Sequence, residues 1–93
     1  MKLQCTAITN ANAVQVMNDG TAAIRAGDAS IDLGAVRSCD TAAVACVLGW
    51  LRAARAAGRE LELVALPPPL LSLAQLYGVE ALVSGAQRPP VPH

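Results

Sequence analysis

Residues 41–57 form the stretch that most constrains this chain: their only charged residues are Arg52 and Arg55, and they contain no proline. At about 100° per residue, Val44, Val47, Leu48, Leu51 and Ala54 make one apolar stripe of a helix. Ala42, Ala45, Cys46, Gly49, Ala53 and Ala56 make a second, with Trp50 beside it. Asp40 stands at the N-cap and Gly58 supplies the stop. A helix apolar all round is normally covered on both sides. In 93 residues three layers are hard to build, so the second stripe is expected to meet a partner. The plainer alternative is that alanine is simply a good helix former, and this chain has nineteen alanines.

Around that helix the pattern alternates between strands and helices. Lys2–Ile8 reads as a strand, with Leu3, Cys5 and Ala7 on one side. Asn10 or Asn12 can cap a helix reaching Gly27 through Val14, Met17, Ala22 and Ile24, although Asn18-Asp19-Gly20 could instead turn the chain. Strands over 28–34 and 60–66 follow, each apolar on one face and polar on the other. Pro67-Pro68-Pro69 opens a helix over 70–77, and residues 79–83 close as a turn or short helix. This order implies an α/β fold, a small and mostly parallel sheet of about four strands, with helices on one face only. Residues 1–83 are expected to form the domain, and 84–93 a Pro-rich flexible tail.

The remaining composition narrows the function. Seven basic and seven acidic residues give zero net charge, unlike the basic excess of a nucleic-acid binder. Met1–Ala7 has no apolar stretch of signal length, and the run 42–51 is too short to span a membrane. Three cysteines without CxxC spacing suit a reducing compartment, the cytoplasm. His93 has no ligand-spaced neighbours, no cofactor loop is visible, and Cys39 has no base near it in sequence, so neither metal binding nor catalysis is expected.

The run Ile31-Asp32-Leu33-Gly34-Ala35-Val36-Arg37-Ser38-Cys39-Asp40-Thr41-Ala42-Ala43-Val44 resembles the central motif of STAS domains, where a strand leads through Asp-Ser/Thr into a helix. The segments 52–59 and 73–79 are also similar to that pattern, and most of all to MlaB-like STAS domains. The resemblance covers residues 28–83; before them only the layout agrees. It implies a non-enzymatic subunit that binds and supports the ATPase of an ABC-type phospholipid transporter maintaining outer-membrane lipid asymmetry. Such a subunit is cytoplasmic and peripheral to the inner membrane through its complex. The resemblance places Thr41 at the contact with the ATPase subunit. The expected partner-binding set is Thr41, Asp40, Ala42, Ala45, Cys46, Gly49 and Arg52. In the isolated chain, a second copy could cover this face instead. The alternative function is an anti-sigma-factor antagonist, but its phosphorylated serine lies second after the Asp, where this chain has Ala42. Ala43 also stands where the family commonly has glycine.

Overall fold

The computed structural model describes residues 1–86. In chain order the elements are β1 (Ala7–Ile8), α1 (Ala13–Ala26), β2 (Ser30–Asp32), β3 (Ser38–Cys39), α2 (Thr41–Ala56), β4 (Glu62–Val64), α3 (Pro68–Leu76) and α4 (Glu80–Ala86). The strands form two parallel pairs. β1 lies beside β3, with Ile8 opposite Cys39, and β2 beside β4, with Ile31 opposite Leu63. The N-terminal segment joins the pairs: Leu3 N donates to Asp32 O (3.0 Å) and Asp32 N donates to Met1 O (2.8 Å). The order across the molecule is therefore β3, the segment containing β1, β2, then β4. This is the small parallel α/β arrangement expected.

The strands are shorter than the alternation implied. Within 2–8, Thr6 O accepts from both Arg37 N and Ser38 N, at 2.7 and 3.3 Å, which breaks the regular ladder before β1. Ile31 and Leu63 point into the core and are fully buried, whereas the other face of this pair carries the exposed Glu62 and the half-buried Ser30. The helices contribute Val16, Ile24, Val44, Val47, Trp50, Leu70, Ala74 and Val83 to the same apolar cluster. The core thus sits between one sheet face and the helices.

Local chemistry sets the helix ends. Asp40 Oδ1 accepts from Ala42 N at 2.8 Å, so the first turn of α2 is capped as expected. Asn12 is the N-cap residue of α1, but its side chain faces backwards: Oδ1 accepts from Thr9 N (2.9 Å) and Nδ2 donates to Ala7 O (2.8 Å). α3 begins at Pro68, two residues earlier than predicted, because a first-turn proline lacks only an N–H that would be unpaired there. α4 runs to Ala86, three residues into the segment expected as tail; residues 87–93 lie outside the described residues.

Asn18-Asp19-Gly20 does not turn the chain. α1 runs through it and packs along α2, and three contacts show that the helices are parallel. Cys46 Sγ donates to Ala13 O (3.4 Å), Trp50 Nε1 to Met17 O (3.1 Å) and Arg59 Nη1 to Ile24 O (3.2 Å). The sequence separations of these pairs, 33, 33 and 35, barely change along the helices. This corrects the expectation that the second stripe of α2 is left for a partner to cover. Part of its second stripe is covered by α1 of the same chain.

Candidate partner-docking site

α1 covers α2 incompletely. Near their N-terminal ends the helices leave an open groove of about 360 Å³, walled by Ala13, Val14 and Met17 from α1 and by Ala42 and Ala45 from α2. Asn10, Asn18 and Thr41 complete its lining. Val14 is 75% exposed on the α1 wall. Small side chains on α2 make the floor: a larger residue at position 42 or 45 would occupy the space.

Asp40 holds this mouth together. While Oδ1 caps α2, Oδ2 accepts from Asn10 N at 3.1 Å, and Asp40 N donates to Ile8 O at 3.1 Å. One carboxylate therefore ties the turn before α1 to the start of α2. Its position fixes the separation of Asn10 and Thr41, which stand on opposite sides of the groove.

The expected partner-binding residues separate into two groups. Thr41, Ala45 and Arg52 are exposed, and at about 100° per residue they fall within about 40° on α2. Asp40 and Ala42 are half-buried beside them. Gly49 and Cys46 turn toward α1 instead. A Cβ on Gly49 would lie 3.2 Å from Met17 Sδ, and Cys46 is fully buried. Cys46 therefore has no surface to offer and belongs to the helix–helix seam.

The other wall, from α1, lies outside the expected partner-binding set, in which Val14 and Met17 are only apolar positions of a helix. A signal was present: Val14 and Val16 are two residues apart, about 200° around a helix, so they cannot both face the core. Val16 does and Val14 does not.

Burial pushes the Cys39 and Cys46 thiols above their ordinary value of 9.0, and the negative charge of Asp40 and proximity to Cys5 act in the same direction. A neutral thiol is a poor nucleophile. All three cysteines are free. The groove offers shape, apolar surface and a hydroxyl, the means of binding another protein.

The chain is a small α/β domain that presents the start of a capped helix beside an apolar groove. A family model described as "Mlab, STAS domain" matches residues 5–84, and the chain belongs to that family of STAS domains. The comparisons find no matching curated protein and no matching solved structure. STAS domains are generally non-enzymatic modules of protein–protein interaction, the role the groove suits. Among the described residues no helix is long and apolar enough to cross a membrane.

Proposed function

We propose that this chain is the accessory subunit that binds and supports the ATPase of an ABC-type phospholipid transporter maintaining outer-membrane lipid asymmetry. It acts in the cytoplasm and reaches the inner membrane through that complex. The observation that carries the reading is the open groove between α1 and α2, with Thr41 exposed at its edge. An apolar side chain of the ATPase subunit fills the groove over Ala42 and Ala45. The Thr41 hydroxyl donates or accepts one hydrogen bond at the rim, where loss of its mate would cost about 1–3 kcal/mol. The chain contributes binding and positioning; the nucleotide chemistry belongs to the ATPase.

The anti-sigma-factor antagonist reading is disfavoured by Ala42, which has no hydroxyl to phosphorylate and lies half-buried in the groove. The test is co-purification from native membranes with a tagged ATPase subunit, using wild type, Thr41→Glu and Ala45→Arg. Both substitutions are at exposed sites and should leave folding intact. The proposal expects wild type to be retained and both variants lost. Retention of both variants would remove this face from the interface, and capture of a serine kinase instead of the ATPase would favour the alternative.

A further inference from the structure

We infer that the α1–α2 face takes an acidic segment of its protein partner, with one apolar side chain in the groove and carboxylates further along against Arg25, Arg52 and Arg55. The inference rests on the reading of this face as the docking surface and adds the chemistry of what docks.

Charge and geometry carry it. Because α1 and α2 run parallel, their C-terminal halves lie together, beyond the groove. On α2, Thr41, Ala45, Leu48, Arg52 and Arg55 fall within about 80° at 100° per residue. On α1, the groove residues Val14 and Asn18 share a sector of about 60° with Thr21 and Arg25. The two sectors flank the same seam, so the three arginines stand on the side of the molecule that carries the groove. All three are exposed.

Among the described residues no carboxylate answers them. α2 contains no acidic residue, and the single one in α1, Asp19, lies about 140° around the helix from Val14. Among the described residues the side chains of Arg25, Arg52 and Arg55 have neither an ion pair nor a hydrogen bond. Arg25 and Arg55 occupy last helical turns, where a cation also offsets the helix dipole. Arg52 lies before the last turn of α2, so that explanation does not reach it. Guanidinium groups pair carboxylates in a planar, two-point geometry, so a carboxylate is the natural complement of this row.

Spacing makes the inference specific. Ala45 and Arg52 are seven residues apart on one helix, about 10 Å at 1.5 Å per residue. A helical partner would carry its carboxylates about two turns from the apolar anchor, and an extended one about three residues away.

The test measures the affinity of the whole chain for the purified ATPase subunit at about 50 and about 500 mM salt, alongside thermal melting. Wild type should bind more weakly at high salt. R52E/R55E should lose at least about tenfold at low salt, with most of the salt dependence gone and melting near wild type. If the double variant melts early, R52Q alone should still show a smaller loss in the same direction. Wild-type affinity that ignores salt, with R52E/R55E binding normally while A45R abolishes binding, would overturn the acidic-segment inference and leave the docking reading standing. Normal binding by R52E/R55E and A45R together would overturn both, as would a wild-type chain that does not bind the subunit. Capture of the chain by phosphatidylglycerol vesicles, lost in R52E/R55E while ATPase binding stays normal, would assign the arginines to a lipid surface and overturn the inference.

Discussion

Gly20→Ala should destabilise the protein, although it replaces glycine by the best helix former in the middle of a helix. Propensity alone favours alanine by about 1 kcal/mol. The packing opposes it more strongly. A Cβ on Gly20 would fall 2.5 Å from Cε2 and 2.8 Å from Cδ1 of the Trp50 indole, and closer still to Nε1. The ring cannot easily yield, because Trp50 is fully buried and its N–H donates to Met17 O at 3.1 Å. Overpacking of this kind costs about 1–3 kcal/mol. If the indole shifts to relieve it, a buried N–H loses its acceptor, for about 1–3 kcal/mol more. Set against the propensity gain, the net loss is about 1–5 kcal/mol, or at least about 4 °C in Tm for a domain of this size. Urea denaturation followed by fluorescence reads it directly, since Trp50 is the single tryptophan. Asp19→Ala, at an exposed neighbour in the same helix, controls for propensity and should be neutral or mildly stabilising. A Gly20→Ala protein as stable as wild type would refute the close approach of α1 and α2 that shapes the groove.

Two further outcomes follow from the same geometry. Asp40→Ala should cost about 1–2 kcal/mol in urea denaturation, and hydrogen exchange should quicken at both Asn10 and Ala42, since one carboxylate serves both amides. Stability should fall as pH rises above 9.0, because the unfolded state ionises its thiols there while Cys39 and Cys46 stay protonated in the fold. Below that pH both states hold the protons and the thiols contribute no slope; replacing Cys39 and Cys46 by alanine should flatten the alkaline fall in a melting series.

The residues differ in how far they reveal these features. α2 was legible to within a residue, because Asp40, an uninterrupted apolar run and Gly58 act locally and agree. The faces of β2 and β4 were legible because alternation survives even in three-residue strands. β3 was not: two residues, Ser38 and Cys39, have no period to read, and their pairing depends on a segment some thirty positions away. The groove was half legible. Small residues on α2 pointed to a close neighbour, but Asn18-Asp19-Gly20 obscured that the neighbour is α1. Gly20 is there to admit Trp50, a long-range demand that looks like a turn in the local sequence. Helical spacing alone puts Cys46 and Gly49 beside Thr41 and Ala45, and only the placement of α1 separates them.

The central claim, that the open side of the α1–α2 pair is where the ATPase subunit docks, is tested most directly by hydrogen–deuterium exchange of the chain with and without that subunit. The account predicts added protection over residues 10–18 and 41–52, the two walls of the groove and the stripe that leads from it, with β4 and its solvent-facing Glu62 unchanged. Protection confined to β4, α3 or α4, with 10–18 and 41–52 exchanging as in the free chain, would contradict it.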